Sequence, residues 1–393
     1  MFSLQYRGRI YKSKFSMRSF RYILSDQAAR AFPALQRHWL FPVESRPIAE
    51  AAVEHVATPS ASIGAPVPEC LVKLGIPLPQ PLQATQHFYR LQDTVITGWA
   101  GAMMKDGLLL ADGPMPNWAS HLRARRHRLR TLPAGRPYYN LMAPIPARAH
   151  IFHWVFESVV PLLAFLEKEG RDLGLGLIVN AKRSGIQQVT LDYLKARYGL
   201  ETLEPLGAGD AVRAPELWAA VSGPQSPLGL RPPQGTAMLE DFGRFIARDT
   251  PESGFPKRIY ISRNDARLRR VRNEDRLVSI LAERGFERVT LKGMPMAAQV
   301  QFFRQAEAIV AAHGAGLAHT AWCKPGTKVV EFFPGLGGPR GRPKNATANM
   351  WLIAMQRGLD HGCYLAGPPE SRSDAFTIPE DLLLHALEAA SIK

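Results

Sequence analysis

Apolar and polar positions alternate through the second half of the chain as short strands and helices, and this pattern sets the expected fold. Arg258-Ile-Tyr-Ile-Ser-Arg263 alternates with period two, as a half-buried strand does. Asn273 stands where it can cap a helix over 274–284, and Gly285 where it can end it. A strand over 286–291, a helix over 296–306 and a short apolar strand over 308–312 follow. The turn His313-Gly314-Ala315-Gly316 leads into a helix over 317–323, and Pro325-Gly326 turns the chain into a strand over 327–333. That order, β-α-β-α-β-α-β, belongs to a doubly wound parallel sheet of the nucleotide-binding kind.

The first half is less regular. Residues 1 to about 90 open on a basic run and pass through Pro77, Pro79 and Pro81, which predicts loops and a few short elements. Residues 94–112 predict strands around a hairpin turn at Lys105-Asp106-Gly107. The stretch 150–166 is apolar on most sides, hence a buried helix, with Pro161 expected to kink it or mark its restart. A strand over 175–179, a helix over 186–197 and a strand near Leu203 continue the α/β alternation. Pro224, Pro227, Pro232 and Pro233 form a candidate linker before a helix over 238–248. The expected division is an N-terminal domain over 1–235, a C-terminal domain over 236–370 and a terminal helix over 371–393.

Composition narrows the class. With 46% hydrophobic and 21% charged residues the chain is globular, and it is long enough for two domains. No apolar run is long enough to predict a spanning helix, and the first residues lack the pattern of a signal peptide. Cys70, Cys323 and Cys363 are scattered and odd in number, which argues against a disulfide framework or a cysteine zinc site and predicts a cytoplasmic location. The net charge of +15 gathers in 7–21, 123–136 and 257–276, which suits phosphate-bearing partners or a solvated basic surface. No nucleic-acid recognition module accompanies it, so a non-catalytic basic binding protein is a minor alternative.

Three consecutive strand ends carry candidate binding residues. Ser262 and Arg263 follow the first strand, the 313–316 turn follows the third, and Glu331 lies on the next. Gly314, Ala315 and Gly316 offer backbone N–H groups and a helix start to an anion, and Arg263 offers a bidentate pair to phosphate oxygens. Glu331 can hold ribose hydroxyls, or serve as a buried salt-bridge partner. The turn can equally serve helix–strand packing alone. His153 and Glu157, four apart, share one face of an apolar helix, either as a self-satisfied pair or as the base that deprotonates an attacking hydroxyl. No His-Glu-x-x-His, Walker A loop, Gly-x-Ser-x-Gly elbow or convincing Asp-x-Asp pair is present. An NAD(P)-dependent oxidoreductase is the enzymatic alternative, resting on Gly314-x-Gly316 with Glu331, but its third glycine position holds His319.

Taken together, the strand 258–263, Asn273-Glu274-Asp275, His313-Gly-Ala-Gly-Leu317 and Pro325-Gly-Thr-Lys-Val-Val-Glu331-Phe-Phe-Pro334 resemble glycosyltransferase family 61. The segment His153-Trp-Val-Phe-Glu157 is similar to an upstream motif of that family, so the likeness spans about 148–334. It implies a GT-B architecture, in which two Rossmann-like domains face each other across a cleft. It also implies inverting transfer from a nucleotide sugar, usually a UDP-sugar, with no obligatory metal or cofactor. By the same likeness Ser262, Arg263, His313, Gly314 and Gly316 surround the nucleotide, while His153 and Glu157 face the cleft from the other domain. The expected acceptor is a saccharide or lipid-linked saccharide in polysaccharide biosynthesis, with the basic segments against anionic lipid.

Overall fold

Two sheets, of ten and five strands, organise the protein in this computed structural model. The structure describes residues 2–6, 9–13, 45–58, 61–76, 78, 82–98, 101–110, 129–142, 151–169, 173–207, 209–222, 233–338, 343, 346–370 and 373–393. Most of the basic run 7–21, Pro77, Pro79 and Pro81, residues 111–128 and Pro224, Pro227 and Pro232 lie outside them.

The second sheet realises the expected pattern. Its strands Arg258–Ile261, Phe286–Val289, Ala308–Ala312, Lys328–Phe333 and Asp360–Leu365 are all parallel. Numbered along the chain they lie in the order 2-1-3-4-5, so the direction of winding reverses between Arg258–Ile261 and Ala308–Ala312. Both faces are covered, as parallel sheets require. Ile259, Ile261, Ile309 and Ala311 pack with Phe242, Val300, Phe303 and Trp322. Tyr260, Val310, Val330 and Phe332 pack with Leu277 and Leu281, and with Leu383 and Leu387 of the terminal helix Glu380–Ala389. That helix is therefore a layer of the second sheet.

The first sheet departs from a Rossmann-like form. Strands Tyr138–Asn140, Gly176–Asn180 and Leu203–Leu206 are parallel, with the helices Val160–Glu169 and Gly185–Tyr198 in between. Beyond them Ala211–Ser222 runs antiparallel to Gln86–Thr97, which pairs antiparallel with Met103–Lys105. The sheet is mixed because hairpins replace helical crossovers in this half. The two-residue turn Asp106-Gly107 has φ of 52° and 78°, the left-handed pair that a tight hairpin needs. Pro215 occupies the missing rung between Ala214↔Thr94 and Glu216↔Gln92, where no backbone donor is required.

The apolar segment at 151–169 forms one helical stretch whose α-helix restarts beside Pro161, after a π turn. Ile151–Trp154 is α-helical, Val155–Val159 is a π turn, and Val160–Glu169 resumes the α-helix. Pro161 has no N–H for the carbonyl of residue 157 and its ring crowds that oxygen, so the wider turn just ahead of it relieves both. This stretch packs on the first sheet through Phe165, which touches Phe88, Tyr139 and Trp218, and belongs to the cluster that continues under the second sheet. Among the described residues no helix is long and apolar enough to cross a membrane.

Candidate functional site

A cavity of about 140 Å³ opens at the carboxyl ends of Arg258–Ile261 and Ala308–Ala312, where the winding direction reverses. Its lining includes Ser262, Arg263, Asp265, Leu291, Ala312 and Gly316. Open α/β sheets take their ligands at such a point, because the two strands' outgoing loops diverge there and leave a crevice.

The Arg263 side chain is built into this crevice. Its Nε donates to Arg269 O at 3.3 Å and its Nη2 to Leu268 O at 2.8 Å, so the loop it starts folds back to hold it. Its Nη1 lies directly over Gly314, where a Cβ would come within 1.8 Å of it. Gly314 is extended (φ 170°), so close approach, and not backbone conformation, is what calls for glycine there. Burial first, and the neighbouring Arg269 second, lower the Arg263 pKa to about 10, which leaves it a cation at neutral pH. Two of the five guanidinium donors are engaged, and three remain for a ligand.

The other strand-end residues hold this frame in place. Ser262 Oγ donates to Glu274 Oε2 at 3.0 Å, and Tyr260 Oη and the Arg263 backbone N–H donate to Oε1 at 3.1 and 3.2 Å. Glu274 begins the helix Glu274–Ala282, where a carboxylate also meets the positive end of the helix dipole. Asn273 does not close that helix with its side chain. Its amide instead brackets Ile378, donating to the carbonyl at 2.7 Å and accepting from the N–H at 3.2 Å.

His313 and Glu331 are placed behind the crevice and do not line it. His313 Nδ1 lies 2.6 Å from Glu331 Oε1 and His361 Nε2 lies 3.1 Å from Oε2, all three side chains being buried. Burial alone would raise the Glu331 pKa. The charge of and hydrogen bond from His313, with those from His361, outweigh it and hold the group at about 2. Glu331 is thus an ionised carboxylate with an imidazole donor on each oxygen, buried at 1% exposure away from the crevice lining. The His313 carbonyl accepts from Arg269 Nε at 2.8 Å. The turn that carries Gly314 and Gly316 is therefore pinned from its side chain and from its backbone.

The element after the turn is a 3-10 helix, Ala315–Trp322, and not the α-helix expected. Its side chains from Leu317 to Trp322 are all buried, and Thr320 Oγ1 donates back to Leu317 O at 2.7 Å. The 3-10 helix packs against the turn Ile151–Trp154, which brings His153 to the same side of the second sheet. His153 Nδ1 lies 2.9 Å from Glu157 Oε2, both side chains remaining partly exposed. Glu157 falls within the π turn, a departure from regular helix that recurs at functional sites.

Sequence reasoning did not find Arg269 or His361, and it placed Glu274 within the 273–275 motif without giving it a role. Arg269 sits in a run of arginines that reads as surface, yet a left-handed φ of 57° turns it into the interior. His361 lies on a strand beyond the last one that the alternation predicts. Glu274 looks like an ordinary first-turn acid.

The sequence that builds this crevice matches a glycosyltransferase family, which makes the protein a glycosyltransferase. The family model described as Glycosyltransferase 61 matches residues 151–330, from the His153 turn to one residue before Glu331, so the chain carries a family 61 domain. No curated protein matches the sequence. Among the described residues no group of three or more His, Cys, Asp or Glu is arranged to hold a metal ion.

Proposed function

We propose that the chain moves a sugar from a nucleotide sugar, a UDP-sugar in the first instance, to a hydroxyl of a saccharide or lipid-linked saccharide, with inversion and without a metal. The observation that carries this reading is the crevice at the point of reversal, with Arg263 held above Gly314. There the donor diphosphate lies against Arg263 and the amides of Gly314, Ala315 and Gly316, and these groups stabilise it as it departs. His153, with Glu157 fixing its tautomer, removes the acceptor proton from the opposite side, and an oxocarbenium-like centre is displaced in line.

In this reading residues 1–235 bind the acceptor, 236–370 bind the donor, and the two face each other in a GT-B arrangement. The protein works in the cytoplasm in polysaccharide assembly, its basic segments resting on the anionic inner membrane face. The nucleotide needs no further cofactor.

Thermal melts with UDP, GDP, CMP and NAD⁺, all in EDTA, test the donor. UDP at a hundred times its dissociation constant is expected to add about 2.7 kcal/mol. A shift with NAD⁺ and none with UDP would overturn the reading, and a UDP shift that EDTA abolishes would remove its metal independence. Gly314→Ala tests the phosphate contact. The added methyl takes the place of the Arg263 guanidinium and pushes it off its two carbonyls, so turnover is expected to fall roughly tenfold with a stability loss of about 1–2 kcal/mol. Unchanged turnover would separate Arg263 from the reaction.

A further inference from the structure

Two of the three cysteines, far apart in sequence, meet in the fold. Cys70 lies on the short helix Glu69–Lys73 and Cys363 on Asp360–Leu365, the outermost strand of the second sheet. The helix packs on that strand, and both sulfurs belong to one small apolar cluster with Leu71, Phe333 and Trp351. Cys70 and Cys363 thus face one another across the packing of helix on strand, beside Leu71. Cys323 sits in a different cluster and is fully buried, whereas Cys70 and Cys363 retain 7% and 9% exposure. All three are free thiols, and glycosyl transfer as proposed above uses none of them.

We propose that Cys70 and Cys363 are an oxidative modification site, a thiol pair that closes to a disulfide by exchange with a low-molecular-weight disulfide. One cysteine, having lost its proton, attacks a sulfur of glutathione disulfide, and the departing glutathione takes up a proton. The other cysteine sulfur, losing its own proton, then displaces the second glutathione, which leaves as a thiol. Two protein S–H groups and one small disulfide become one protein disulfide and two glutathione thiols, so no other oxidant is needed.

The product staples residues 69–73 to the strand that carries His361, at the position paired with Glu331. The staple therefore reaches the strand that supports the buried carboxylate without touching the crevice. The neighbouring Cys70 first, and burial second, push the Cys363 thiol up, so exchange is slow at neutral pH and quickens as pH rises.

The test treats the full chain with glutathione disulfide under native conditions, blocks residual thiols, and reads the intact mass and a peptide map. The expected protein has lost two hydrogen atoms, keeps one titratable thiol of three, and yields a linked Cys70–Cys363 peptide. Its melting temperature is expected to rise by about 5 °C and to fall back with dithiothreitol. Cys323→Ser is expected to form the link unchanged, and Cys70→Ser to stop at a mixed glutathione adduct on Cys363. Wild-type protein that accumulates adducts without a link, links to Cys323, retains all three thiols, or melts lower when linked would overturn the proposal.

Discussion

Arg263→Ala is expected to lower kcat by about 10²–10³-fold, the loss that follows removal of one preorganised donor to a developing anion. The magnitude rests on how little the guanidinium has to reorganise. Two backbone carbonyls of its own loop fix its plane, and burial removes the water that would otherwise screen its charge. Three N–H groups are left to a ligand, in a crevice whose opposite wall is the turn pinned by Glu331 and Arg269. Lysine does not reproduce this, since one ammonium cannot hold both carbonyls and present a fork to phosphate. Arg263→Lys is therefore expected to fall nearly as far as Arg263→Ala. Steady-state kinetics with a UDP-sugar, run beside thermal melts, separates lost catalysis from lost folding. Turnover near wild type in the alanine variant would sink the assignment.

Much of the second sheet was legible because each of its strands is short, apolar and followed by a helix with its own stop signal. Gly285, for instance, adopts the left-handed conformation (φ 72°) expected after a helix end. The pairing of His153 with Glu157 followed from helical spacing, which the π turn stretches without separating the two side chains. What could not be read depends on contacts distant in sequence. The strand Ala211–Ser222 contains Arg213, Pro215 and Glu216 and looks like a loop until Gln86–Thr97 lies beside it. Arg213 then finds Asp93 at 3.0 Å, and Glu216 faces Arg90 at 3.8 Å. Asn273 looked like a cap because Ile378, the group it actually binds, lies more than a hundred residues away. Glu331 was expected either to hold ribose hydroxyls or to be a buried salt-bridge partner, and it is buried on its strand. Its partner His361 comes from the neighbouring strand, and only that pairing shows that both carboxylate oxygens have an imidazole partner.

Removing that carboxylate is expected to cost the fold more than any other of these substitutions. Glu331→Ala leaves two buried imidazoles without their acceptor and a void between Ala308–Ala312 and Asp360–Leu365, a loss of about 3–5 kcal/mol. Glu331→Gln keeps the volume but not the charge, and isolates the electrostatic part. A carboxylate at about 2 in the fold and 4.5 when unfolded gives stability that is complete above pH 4.5 and is lost as pH falls towards 2. At pH 7 the glutamine variant is therefore expected to lie about 3 kcal/mol below wild type. The gap should narrow as pH drops below 4.5, because only in wild type does the unfolded chain then gain a proton that the folded carboxylate refuses. His319, held near 3 by burial, also destabilises the fold as pH falls below 6.5, but it does so in both proteins and cancels in the difference. Urea melts of the two proteins from pH 7 to pH 3.5 measure that gap directly. A gap that stays constant, or widens, between pH 4.5 and pH 3.5 would mean that Glu331 does not carry its charge in the folded protein. The turn at His313 would then be held by packing against Phe333 and by the Arg269 hydrogen bond to its carbonyl.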